Sequence, residues 1–169
     1  GDYRIQAVKG NSREPVGEVS AVEVLWETFG TDTAPQPGDL IAQVSYDSDK
    51  NTIAFSTGAE FLKGNAAIAA KDAEGTILWS WHIWLTDKPK DQAYNNGAGT
   101  MMDRNLGATS ATPGSVGALG LLYQWGRKDP FPGASSISEN IAAKATLVRW
   151  PQELISEGVS IDYTVQNPT

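Results

Sequence analysis

His82 is the only histidine in this chain, and so the only side chain whose ordinary pKa suits proton transfer near neutrality. It stands in Ile-Leu-Trp-Ser-Trp-His-Ile-Trp-Leu, residues 77–85, on the less apolar side of an aromatic run. A general base or a metal ligand needs partners, and neither Glu-x-x-His nor a second histidine supplies them. A packed, hydrogen-bonded histidine is the better reading. Asp47-Ser48-Asp49-Lys50-Asn51 opens with the spacing of a calcium loop. Such a loop also needs Gly at its sixth position and a bidentate Glu at its twelfth. Thr52 and Gly58 occupy those positions, so an Asp/Asn-rich hairpin turn explains the run better. The chain has no cysteine, which excludes thiol catalysis, disulfides and thiolate metal sites. No metal and no cofactor are expected.

Asp103-Arg104-Asn105 groups an acid, a base and an amide. A sugar-binding or catalytic site could use all three, although such a cluster is more often a local ion pair with a turn hydrogen bond. The chain's tryptophans offer flat faces for stacking sugar rings. Trp79 and Trp81 share an apolar strand face and are expected in the core, while Trp84 on the other face suits a domain junction. Trp150, beside Arg149 and Pro151, belongs to no strong packing pattern. Trp150, Arg149, Asp103, Arg104 and Asn105 are therefore the candidate ligand-binding residues. The glycines of residues 107–120 match neither phosphate-binding pattern. No Gly-x-Ser-x-Gly occurs, and one histidine leaves little room for a triad. No pair of acid/base groups argues for catalysis, and no enzyme is expected.

The elements that would hold these residues read as mainly β. Residues 75–85 alternate Ile77, Trp79, Trp81, Ile83 and Leu85 against Leu78, Ser80, His82 and Trp84. That is a strand with one wholly apolar face, expected to be central. Before it, residues 3–8, 16–29, 40–46, 52–56 and 65–71 read as short strands separated by turns. The four alanines of 65–71 leave a helix open as an alternative. The spacing predicts an antiparallel β-sandwich over 1–87. Residues 88–99 are polar and turn-forming and predict a linker. A smaller α+β region is expected over 100–169. Within it, Ser115, the Leu119/Leu122/Tyr123 spacing and Gly126 predict a helix over 115–126. A second helix is predicted over 151–157 and a last strand over 161–165.

Composition narrows the setting. With 169 residues the chain can bury a sizeable core. A formal charge of −7 argues against a nucleic-acid partner and disfavours adsorption to anionic lipid. No apolar run is long enough to span a bilayer. The chain opens Gly-Asp-Tyr-Arg without a methionine, and reads as an excised mature segment.

Residues 77–84, then Met102-Asp103-Arg104-Asn105-Leu106-Gly107-Ala108, then Gly120-Leu121-Leu122-Tyr123-Gln124-Trp125-Gly126-Arg127-Lys128-Asp129-Pro130-Phe131, carry a resemblance. They resemble fimbrillin-like and adhesin-like surface proteins of Gram-negative gut anaerobes. The later part is similar to the major paralogous domain of fibrolytic bacteria, which is related to C-type-lectin-like folds. Met102, Asn105 and Leu106 match one motif of that pattern, and Gly120, Leu122, Tyr123 and Trp125 another. The similarity spans residues 65–131. That family usually continues with Cys-Pro-x-Gly-Trp-Arg-x-Pro, which this chain lacks. The resemblance thus implies only part of a lectin-like unit. It implies an exported adhesion or interaction module at the cell surface or outer membrane, lipoprotein-like in setting, with surface proteins or glycans as partners. Carbohydrate binding for polysaccharide capture is the alternative. An exposed sheet edge would suit a homo-oligomer.

Overall fold

The computed structural model describes residues 1–10, 12–132, 143–147 and 158–168. It is mainly β, and its sheets are antiparallel. The strands are β1 (Asp2–Gln6), β2 (Ala21–Thr28), β3 (Ile41–Asp47), β4 (Thr52–Thr57), β5 (Gly64–Lys71), β6 (Ile77–Leu85), β7 (Asp91–Ala93), β8 (Thr100–Met102) and β9 (Thr146–Leu147). One short helix, α1 (Ile161–Gln166), follows. Three strands form a sheet in the order β1-β4-β3, four form a second in the order β6-β5-β2-β9, and β7 pairs with β8. No helix among the described residues is long and apolar enough to cross a membrane.

The β3–β4 hairpin follows from its turn. Asn51 takes the left-handed conformation at φ 48°, which asparagine tolerates, and the Asp47 carboxylate accepts from the Lys50 backbone N–H. Asp47, Asp49 and Asn51 therefore serve a hairpin. Across it, Val44 pairs with Phe55 and Tyr46 with Ile53. Phe55 and Ile53 then join one apolar cluster with Leu40 and Ile41 from the first sheet's side and Ala66, Ile68, Ala70 and Leu85 from the second.

The sequence reading makes the tryptophan strand central, and the structure corrects this. β6 is an edge, and the centre is β5 with β2. Seven of the eight β5 residues are buried. The sheet is covered on both faces there, so alternation disappears, and alanine lets both layers approach. Trp79 and Trp81 pack on the inter-sheet cluster but are only partly buried, as edge-strand residues. A bulge at Ala70/Lys71 also shifts the register. It sends Ile77 to the opposite face, where it joins Leu25, Trp26, Ala67, Ala69 and Leu121. A second bulge lies in β2 between Val24 and Trp26.

Two further readings are corrected. Residues 115–126 hold no α-helix; a single 3₁₀ turn, Val116–Ala118, stands there, although Ser115 does cap it. Gly120 at φ +77° ends it, and a Cβ on Gly120 would sit 2.6 Å from the Leu106 carbonyl oxygen. Two glycines inside this span, Gly117 and Gly120, already disfavour an α-helix by about 1 kcal/mol each. As a result Leu121, not Leu122, is the buried leucine. Residues 161–165 lie in α1 and not in a strand. The Ser160 hydroxyl accepts from the Tyr163 N–H, and Asp162 stands in the positive first turn. The predicted helix at 151–157 lies outside the described residues. Part of the expected linker, Asp91–Ala93, is β7 of a small exposed hairpin.

Candidate functional site

The second face of the four-stranded sheet carries Asn65, Ala67 and Ala69 from β5 and Ser80, His82 and Trp84 from β6. Alternation puts them on one side, away from the inter-sheet cluster. Residues 103–131 lie over this face. Backbone N–H groups of Leu121 and Ala108 bond to the carbonyls of Leu106 and Asn105, which folds the segment into compact loops. Gly107, at φ +80°, lets the chain pass close: a Cβ there would meet Leu121 Cγ at 2.5 Å.

The segment is tied down mainly through polar groups. Asn65 is completely buried, and its side-chain N–H donates to the Gly107 carbonyl at 2.8 Å. A carbonyl can only accept, so the Asn65 Oδ1 faces His82, 2.9 Å from Nε2. His82 therefore carries its proton on Nε2 and donates to Oδ1. Burial pushes the His82 pKa from 6.5 down to about 4. The lone histidine is thus neutral and hydrogen-bonded. The Trp84 indole N–H donates to the Ala108 carbonyl at 3.2 Å. Trp84 thereby bridges the sheet and the segment over it.

A tighter cluster sits one step along β6. The Ser80 hydroxyl donates to Asp129 Oδ1 at 2.8 Å and accepts from Lys128 Nζ at 2.6 Å. Lys128 Nζ also reaches the Ser80 carbonyl at 2.9 Å and Asp129 Oδ2 at 2.7 Å. It stands 4.6 Å from the centre of the Trp79 ring, so the side chain wraps the edge of the sheet. A serine so close to a lysine has the spacing of a nucleophile and its base. The base in such a pair must be neutral. Burial does lower the Lys128 pKa, but Asp129 opposes that shift. Each ammonium proton here has an acceptor, and Ser80 is buried. The geometry is that of a clamp holding Lys128 and Asp129 on β6.

Beyond the clamp the chain makes a turn. Leu122 and Phe131 form a two-way backbone bridge, at 3.0 and 2.9 Å. The Arg127 N–H bonds the Gln124 carbonyl, and its guanidinium lies 4.4 Å from the Phe131 ring centre. Arg127 also donates to the Asn167 carbonyl of the α1 cap at 2.7 Å. At the tip of this braced turn Trp125 is fully exposed, with Leu122 and Tyr123 about half exposed beside it. Trp125 presents an exposed aromatic face here. In the sequence it stands in Gln-Trp-Gly-Arg, at the flank of the predicted helix.

Of the other predicted site residues, Asp103, Arg104 and Asn105 are spent on internal contacts. The Arg104 guanidinium is held by Asp103 at 2.8 Å and Asp87 at 3.2 Å, and Lys63 also pairs with Asp87. These cations hold the Asp87 and Asp103 carboxyls below the usual range, chiefly through their hydrogen bonds to Arg104. The Asn105 side chain donates to the Ala118 and Leu119 carbonyls, at 3.2 and 3.3 Å. The three are adjacent, as expected, and they bind the loops together. Arg149 and Trp150 lie outside the described residues. No group of three or more acidic, histidine or cysteine side chains that could hold a metal occurs among the described residues.

Set against models of protein families, curated proteins and solved structures, the chain matches none.

Proposed function

We propose that this chain is a non-enzymatic, exported cell-surface module that works by adhesion, and that its working surface is the turn bearing Trp125. In this reading the two larger sheets form a β-sandwich, and residues 103–131 form part of a lectin-like unit laid on it. The observation that supports the reading is the contrast between a firmly braced base and an exposed aromatic tip. Solvent-facing Trp125, beside half-exposed Leu122 and Tyr123, gains nothing for folding, whereas aromatic groups of this kind dominate recognition surfaces. The bracing by Phe131, Arg127 and the Ser80 clamp would lower the ordering cost of binding. The same flat, unobstructed indole supports the alternative of carbohydrate capture, since a sugar ring stacks on such a face.

The test is binding of the whole chain, and of Trp125→Ala, to a glycan array and to outer surfaces of intact bacterial cells. Retention on cells but not on glycans, lost in the variant, supports adhesion through protein contacts. Glycan retention lost in the variant supports the alternative. Binding that Trp125→Ala leaves unchanged rules this turn out as the working surface.

A further inference from the structure

We propose that residues 103–131 form an acid-releasable cover on the β5–β6 face, and that neutral His82 is the latch. The latch is a relay. His82 Nε2 donates to Asn65 Oδ1 at 2.9 Å, and Asn65 passes the bond to the Gly107 carbonyl at 2.8 Å. Both links lie beneath the cover, and Asn65 is fully buried there. Protonating His82 leaves the relay's hydrogen bonds possible but places a charge in a site where, among the described residues, none is seen to offer a counter-charge.

The surroundings bear this out. The Trp26 ring of β2 lies 6.2 Å from the imidazole centre to centre, and Ala67 of β5 is its register partner. Asn65 and Gly107 are joined to it through the relay, and these four residues are all uncharged. The charged groups on this face are committed elsewhere. Asp129 pairs with Lys128 at Ser80, Arg104 with Asp103 and Asp87, and Lys71 of β5 with Glu23 of β2. The helix α1, which also packs on β6, brings Asp162 and Tyr163. Burial is what depresses the His82 pKa.

The sign follows from linkage. Covered, His82 holds its proton weakly, with a pKa of about 4 against 6.5 in water. Uncovered, it returns to the ordinary value. The docked state is therefore fully favoured above pH 6.5. It weakens about tenfold per pH unit as the pH falls from there to about 4, and no further below. The inter-sheet cluster contains no titratable side chain but Tyr46, and the Glu27 carboxylate beside it accepts from the backbone of Gly38, Leu40 and Ile41.

The experiment is a pH series from 7 to 4 on the whole chain, followed by amide and histidine-ring NMR. The His82 ring is expected to titrate well below 6.5. Amides of residues 105–131 are expected to collapse in dispersion while those of β1, β3 and β4 hold. His82→Gln, whose Nε2 can donate to Asn65 without ionising, is expected to keep the cover docked across the series. A ring that titrates near 6.5 without disturbing the cover overturns the proposal. So does loss of both regions at one pH, or a His82→Gln cover that releases as the wild type does. The two wild-type readouts decide the matter alone if the variant does not fold.

Discussion

The two faces of the β6-β5-β2-β9 sheet are held by different physics. Toward the β1-β4-β3 sheet, Ala66, Ile68, Ala70 and Leu85 meet Leu40, Ile41, Ile53 and Phe55, with Trp79 and Trp81 at the edge. Apolar area does the work there. The polar exception is Glu27, a buried carboxylate that accepts the backbone N–H groups of Gly38, Leu40 and Ile41. It stitches β2 to the start of β3. The opposite face has a small apolar centre around Trp26 and Leu121 and otherwise relies on Asn65, His82, Ser80, Trp84, Lys128 and Asp129. Burial of carbon is insensitive to pH and tolerant of exact geometry. A buried polar relay is neither, because each group must be satisfied and in its correct protonation state. One sheet can therefore carry a permanent contact on one side and a conditional one on the other.

The largest expected effect is on the apolar side. Ile68→Ala removes a completely buried side chain from the centre of the inter-sheet cluster. We expect a loss of about 4 kcal/mol in chemical denaturation, with both sheets lost in one transition. Glu27→Ala follows at about 3 kcal/mol, since it strands buried N–H groups of Leu40 and Ile41. Glu27→Gln keeps an acceptor and should recover part of that. A melt in which Ile68→Ala disturbs residues 103–131 but spares the first sheet would break the comparison.

The two faces also differ in how far they were legible. The β3–β4 hairpin could be read because its turn chemistry and its alternation agree. β5 was harder: a strand buried on both faces loses its period, and alanine carries no strand preference. The edge position of β6 was hidden, since three tryptophans suggest a centre, whereas here they roof an edge. Bulges are likewise invisible in sequence, and the one at Ala70/Lys71 reversed the side of Ile77. The site was least legible. Asn65, Ser80 and Asp129 come from separate segments, and no local spacing joins them. His82 is hydrogen-bonded, as its sequence setting predicts. The glycines of 107–120 match no phosphate-binding pattern in the sequence, and their use, close passage over Leu121 and Leu106, needs the fold.

On the polar side the effects should be smaller and graded. Asn65→Ala leaves His82 Nε2 and the Gly107 carbonyl without partners, and should cost about 2–3 kcal/mol. Ser80→Ala keeps the Lys128–Asp129 pair but removes one bond from each, and should cost about 1–2 kcal/mol. Both losses should appear first as faster amide exchange in residues 105–131, with β3 and β4 protected. Equal loss of protection in β3 and β4 would mean that the cover and the inter-sheet cluster are one cooperative unit.

The smallest effect on stability is expected from Trp125→Ala, and it sharpens the contrast most. Trp26 and Trp125 are the same residue in opposite circumstances: one is buried under the cover, the other stands free on its turn. Burial sets what a side chain gives to folding, and Trp26 packs with Leu25, Ala67, Ala69, Ile77 and Leu121. Truncating Trp125 removes no contact that water does not already replace. The bonds that shape its turn are backbone bonds of Leu122, Phe131, Gln124 and Arg127, and the Arg127–Phe131 stack does not involve the indole. The change should stay within about 0.5 kcal/mol. A melting midpoint clearly lowered by Trp125→Ala would show that the indole packs against the protein in solution. It would then belong to the fold, and the aromatic tip would no longer stand apart as a surface for recognition.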